Sequence, residues 1–299
     1  MLTVVVGLTS ALIFGAADFL GGLAAKRISA LRVTGIATVI GLVVLSIALP
    51  IVGGNWSIEA VLFGALSGVS GVIAIVLLYA CLAIGPMSIL SPLTAVISAI
   101  VPLTVGLMQG ERLPAIGYLA LGIALVAVVL VGFVPEKNAV RPSLRGVLMA
   151  IGSGIAIGVF LLLIDQAPDD SGLVPLVVNR AVSSSIMFST IAVVAVVAFI
   201  ARRRRTAHQQ TPKAQTSPVS GWRAGIPLAI ACGVIDAIAN AGLLLGVRLG
   251  ELSVVAVLTA LYPAGTIILA AIVLKERIAW LQYVGLALAI AAAGMLTLA

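Results

Sequence analysis

The sequence predicts an all-α integral membrane protein of ten transmembrane helices, arranged as two inverted five-helix repeats. Three observations predict it. First, the 299 residues are 62% hydrophobic and only 9% charged, whereas a soluble domain carries about 25% charged and about 45–50% apolar residues. Second, the apolar residues gather into runs of about 20, the length a helix needs to cross a hydrocarbon core of ~30 Å. Third, part of the second half repeats the first.

Taken in order, the spans fall near residues 2–21, 32–52, 60–84, 88–109 and 114–134, then 147–164, 173–200, 225–247, 252–274 and 279–298. None shows the apolar/polar alternation of a membrane barrel strand, so helices are expected. No basic stretch precedes Leu2, and Lys26 and Arg27 follow the first apolar run, so that run reads as a retained span and not a cleaved leader. A connector at 135–146 divides the chain into units at 1–134 and 147–299, and the second unit contains a polar loop at 201–223, rich in Pro, Ser, Thr and Gln. That composition cannot bury enough apolar surface to order itself.

The net charge of +7 comes from basic residues scattered between the apolar runs, with four together at Arg202–Arg205. That pattern marks span ends, so lipid and a small-molecule substrate are the expected partners, and nucleic acid is not. Monomer and homodimer both stay open. Cys81 and Cys232 lie in apolar runs and His208 in a polar loop, so neither a disulfide framework, a metal site nor a cofactor is expected.

Sliding the chain by 165 residues brings 85–134 onto 250–299 without a gap. Gly85 falls on Gly250, Ser88 on Ser253, Leu93-Thr94-Ala95 on Leu258-Thr259-Ala260, Glu111-Arg112 on Glu276-Arg277, and Tyr118 on Tyr283. A copy that begins after five crossings enters the membrane from the opposite side. Inverted repeats of this kind recur in secondary transporters, with the binding site between the repeats near the midplane.

The segments MSILSPLTAVISAIVPLTVGLMQGERL (87–113) and ELSVVAVLTALYPAGTIILAAIVLKERIAWLQYVGLALAIAAAGML (251–296) resemble the repeat units of EamA-type transporters of the drug/metabolite transporter superfamily. IFGAADFLGGLAAKR (13–27) is similar to that family's opening motif, with Phe14 where tryptophan is common and Asp18 where a small amide residue is frequent. The resemblance implies ten helices, five plus five inverted, around a central cavity. Members carry amino acids, metabolites and drugs.

Fourteen Lys and Arg fall on the connections after odd-numbered spans and only Arg112 and Arg248 on the opposite face. Positive charge favours the cytoplasm, which places both termini outside. The family resemblance implies termini inside, so the two indications conflict.

Ionisable residues within a span cost about 2.5–3.5 kcal/mol or more and need a reason. Asp18, Arg180 and Asp236 are such residues, with Asn179 and Asn240 beside the last two and Asp236 and Asn240 four apart on one helix face. A carboxylate here suits proton carriage and Arg180 suits an anionic substrate group, while a helix-joining ion pair is the structural alternative. Tyr79 and Tyr262 are further cavity candidates. Pro92, Pro102 and Pro263 interrupt the fourth and ninth spans, where freed carbonyls can line a cavity or a kink simply forms. Glu111, Arg112, Glu276 and Arg277 are expected to anchor helix ends.

No GxxxxGK[ST] motif is present, and no clustered nucleophile, base or metal ligands suggest an enzyme. The expected function is a multi-pass inner (cell) membrane secondary transporter, proton-coupled and working by alternating access. A channel or lipid flippase on the same scaffold is the alternative.

Overall fold

The structure, a computed structural model, describes residues 1–84, 87–132, 142–206, 220–275 and 278–298. Every regular element among them is helical. The chain is an all-α multi-pass membrane protein, because in lipid only a helix satisfies all its backbone donors and acceptors within one segment.

The first eight spans become α1 (Leu2–Ala25), α2 (Ala30–Val52), α3 (Ile58–Ile84), α4 (Met87–Met108), α5 (Ala115–Gly132), α6 (Leu144–Asp165), α7 (Val174–Thr206) and α8 (Ser220–Leu249). A 3₁₀ turn at Asp169–Ser171 precedes α7. Two features differ from expectation. Helix α7 runs on through Arg202–Arg205, residues placed by sequence in a polar loop, because arginine is a good helix former and extends a helix already nucleated. The rest of that polar stretch, 207–219, lies outside the described residues.

The ninth span is not one helix. It divides into α9 (Leu252–Thr259) and α10 (Tyr262–Val273), and α11 (Trp280–Leu298) completes the set. Pro263 explains the break: its ring would clash with the carbonyl four residues back, at Thr259, where α9 ends. Pro92 and Pro102, by contrast, sit inside an unbroken α4. Pro92 is buried against Gly132 of α5, and Pro102 lies beside Gly158 of α6.

The packing pairs come in exchanged sets. Helix α1 packs on α8 and α3 on α6; α4 packs on α6, and α10 and α9 on α1; α3 packs on α7 and α2 on α8. Three further pairs map onto themselves: α2 with α7, α5 with α11, and α4 with α9. One detail has the same symmetry. Gly68 of α3 meets the backbone of Asn179 on α7, and Gly233 of α8, 165 residues later, meets the backbone of Ala37 on α2. Glycine at such crossings lets two helices approach to backbone contact. Core clusters fill the seams between α4, α5, α9 and α11 and between α2, α7 and α8, while Val43, Ile47, Ile51, Val193 and Val197 stay exposed. Exposed aliphatics in this number suit lipid as solvent.

One face of the bundle gathers the N-terminus and the α2–α3, α4–α5, α6–α7 and α8–α9 connections. The α2–α3 and α6–α7 connections meet there backbone to backbone: Asn55 N donates to Asp170 O at 3.0 Å and Leu173 N to Gly53 O at 3.4 Å. Gly53 and Gly172 hold φ angles of 83° and 52° in this crossing, a region that glycine enters freely. Asn55 Nδ2 adds a bond to Asp170 Oδ2 at 3.0 Å, and Thr3 Oγ1 donates to Leu249 O at 3.0 Å.

Candidate functional site

Helix α7 brings Arg180 toward α8. Its Nη2 lies 2.5 Å from Asp236 Oδ2, with the two side chains 13% and 24% exposed. Asn240, one turn beyond Asp236, donates from Nδ2 to Asp236 O at 2.8 Å and to Asp236 Oδ1 at 3.2 Å. The carboxylate is therefore held by a guanidinium from one helix and an amide from its own. The arginine stem crosses α2 at Gly41, where an added Cβ would lie 3.4 Å from Cδ. Arg180 Nε and Ser184 Oγ, one turn apart on α7, are buried and find no hydrogen-bond partner among the described residues. Orphaned buried donors of this kind call for an explanation, such as a bound solute or water.

Asp18 completes the group from α1. It is solvent-exposed although its neighbours Ala17 and Phe19 are buried, and it lies within electrostatic reach of Asp236 on α8 and Tyr262 on α10. Both of those helices pack on α1, so Asp18 faces a space inside the bundle. The backbone carbonyl of Gly15 accepts from Thr266 Oγ1 at 3.1 Å, which fixes α10 against α1 one turn from Asp18. Tyr262 begins α10 directly after the break in the ninth span.

Cys232, placed by sequence only within an apolar run, belongs to the same group. It sits one turn before Asp236, packs its sulfur on Gly21 of α1, and senses the charges of Asp236, Asp18 and Arg180. The i, i+4, i+8 spacing of Cys232, Asp236 and Asn240 carried that signal. Ser184 was likewise legible as the residue four beyond Arg180.

Asn179 points elsewhere. It is 4% exposed and donates from Nδ2 to Ser67 Oγ on α3 at 2.9 Å. Tyr79 lies on α3 with its side chain outside the described residues, as are Glu276 and Arg277 entirely. An apolar crevice of about 520 Å³ between α1, α2 and α8 includes Ser10, Leu45, Ala241 and Arg248, and none of the expected site residues lines it.

Glu111 occupies a second polar locus, beyond the end of α4. Its Oε1 accepts from Leu252 N at 2.9 Å and its Oε2 from Ser253 N at 3.2 Å and from Ser253 Oγ. The carboxylate thus caps α9, a helix that begins 141 residues further along the chain, and not the end of its own helix. A carboxylate at a helix N-terminus satisfies orphan amides and complements the dipole. Gly106 makes room for it, since a Cβ there would press on the carboxylate. Glu251, outside the membrane span, has its carboxyl raised above the ordinary glutamate range, first by burial and then by the charge of Glu111 and a hydrogen bond with it. Arg112 is exposed. Among the described residues no group of three His, Cys, Asp or Glu could hold a metal ion.

The sequence model described as the EamA-like transporter family matches residues 144–298. A solved structure titled only as the crystal structure of a protein superimposes with a TM-score of 0.67 at 16% identity, covering 99% of this chain and 98% of that one. At that identity the likeness speaks to the fold alone. No curated protein matches the sequence.

Proposed function

The chain belongs to the EamA-like transporter family, and we propose that it moves small metabolites or drugs across the membrane by alternating access, coupled to protons. One observation carries this reading: the Arg180–Asp236 pair, in mid-bundle, with Asp18 in electrostatic reach on the facing helix. Two carboxylates and one guanidinium leave the cluster one negative charge in excess. Charge within a membrane span is costly, and a single proton removes the excess. An anionic group of the solute competes with Asp236 for Arg180 more readily once that proton has removed the excess negative charge. Loss of the proton restores the pair and expels the group. Proton movement and solute release are thereby linked through one shared arginine.

Access to this cluster from alternate sides is supported by the exchanged packing pairs and by the 165-residue correspondence of Gly68 with Gly233. We read the chain as two inverted five-helix units, 1–134 and 147–299, with the polar cluster between them. Inverted units can exchange conformations, and the exchange turns a site open to one face into a site open to the other.

The test is solute flux in proteoliposomes across a panel of metabolites and drugs, with and without a pH gradient. Flux should collapse when the gradient is dissipated, and gradient dependence should vanish in both Asp236→Asn and Asp18→Asn. Gradient-driven flux that persists in both variants removes the cluster from coupling.

A further inference from the structure

Several ties on the face that carries the α4–α5 and α8–α9 connections run between the two halves of the chain, beside one within the second half, where Arg248 Nη2 donates to Pro168 O and Ser171 Oγ. Asn55 of the first half holds Asp170 of the second, Thr3 holds Leu249, and Glu111 holds Leu252 and Ser253. The Glu111 tie differs from the others in number: where Asp170 Oδ2 accepts one bond from Asn55, the Glu111 carboxylate accepts three, from two backbone amides and a hydroxyl at one helix N-terminus, and each bond to an ionised acceptor is about twice as strong as a neutral one. It also grips α9, the half-helix whose other end breaks at Thr259 beside Tyr262, in the polar cluster. Movement of α9 away from α4 would therefore expose the cluster to this face.

We infer that Glu111 is the latch that keeps this face shut: its carboxylate clasps the N-terminus of α9, and the polar cluster opens to this face only when the clasp lets go. The inference rests on the alternating-access reading and adds the contact that must break. Sequence supplies a matching pair for the opposite face. Shifted by 165 residues, Glu111 becomes Glu276 and Ser253 becomes Ser88, so the chain carries the same acid and the same hydroxyl in both halves.

Cys232 provides a reporter already in place. It lies in the cluster, half-buried, and Cys81 is the other cysteine of the chain. In a Cys81→Ser background, a membrane-impermeant maleimide is applied to right-side-out and to inside-out vesicles, and Cys232 labelling is measured by mass. With Glu111 intact, labelling should come from the face opposite the latch. Glu111→Ala should raise the labelling rate from the latched face by ~10-fold or more, Glu111→Gln less, because an amide oxygen still accepts, and Ser253→Ala least, because one of three bonds is lost. Should Glu111→Ala fail to insert, the Gln and Ser253→Ala variants carry the same ranking.

Unchanged labelling from the latched face in these variants, or equal labelling from both faces with Glu111 intact, overturns the latch. The measurement needs no substrate and no proton gradient. A shifted label without proton-dependent flux keeps the latch and removes the coupling; proton-dependent flux without a shifted label does the reverse.

Discussion

Arg180 of α7 and Asp236 of α8 meet at 2.5 Å, while Asn179, the residue just before Arg180, turns the other way to Ser67 of α3. One step of about 100° along a helix separates a charge in the polar cluster from an amide that fastens two helices.

Breaking the pair on one side should destabilise the chain. Asp236→Asn leaves a guanidinium half-compensated, at a cost of about 1–3 kcal/mol, below the 3–5 kcal/mol of a fully buried pair because both side chains keep some exposure. The double variant Asp236→Asn/Arg180→Gln should recover much of the loss. Thermal unfolding in detergent measures both, and additive losses in the double variant would argue against a coupled pair.

Asn179→Ala should cost about 0.6–1.7 kcal/mol, from the average to the largest value found for hydrogen bonds between membrane helices. Because Asn179 bonds Ser67 and takes no part in the charge cluster, gradient dependence of flux should survive. A variant that keeps its stability but loses gradient dependence would move Asn179 into the cluster.

Gly68 and Gly233 should respond alike to added bulk. A Cβ at Gly68 would lie 2.7 Å from Asn179 O, and one at Gly233 would lie 2.6 Å from Ala37 O, both backbone atoms that cannot step aside. Gly68→Val and Gly233→Val should each cost about 1–3 kcal/mol through helix displacement. Gly71 and Gly122 have nothing within 4 Å of the added Cβ, so Gly71→Ala and Gly122→Ala should be tolerated on the same thermal assay.

Glu251 gives a pH dependence with a definite sign. Its carboxyl is raised above the ordinary glutamate range by burial, by the charge of Glu111 and by their hydrogen bond, so the folded chain holds the proton more tightly than the unfolded chain. Its contribution to stability is present below the ordinary glutamate range and fades as pH rises through the raised value. Against Glu251→Gln, which stays neutral, the unsubstituted protein should lose melting temperature as pH climbs through that window. Parallel pH curves for the two proteins would show that the Glu111–Glu251 contact is not felt.

Much of the fold was legible from residues alone. Runs of apolar residues specify spans because each span meets its solvent, lipid, along its own length, and Pro263 marked the ninth span as irregular through a clash confined to one turn. The same local reasoning did not separate Pro263 from Pro92 and Pro102, which lie in an unbroken α4 with neighbours on α5 and α6. The site was legible in pieces. Asp18, Arg180, Asp236 and Asn240 stood out as polar groups in apolar runs, yet nothing along the chain said that α1, α7 and α8 present them to one another. Glu111 was readable as a residue at a helix end, but not as the cap of α9.

The sequence by itself determined that this chain lives in lipid, that it folds into helices, and that two stretches 165 residues apart share a pattern. These are properties of composition and of short windows, where each residue's solvent and nearest neighbours decide the outcome. Tertiary structure alone decided that Asp236 takes Arg180, that Cys232 joins the acids, and that a carboxylate following α4 closes on the amides of α9. Such partners are chosen by which helix faces pack together, and packing depends on the shape of every face at once.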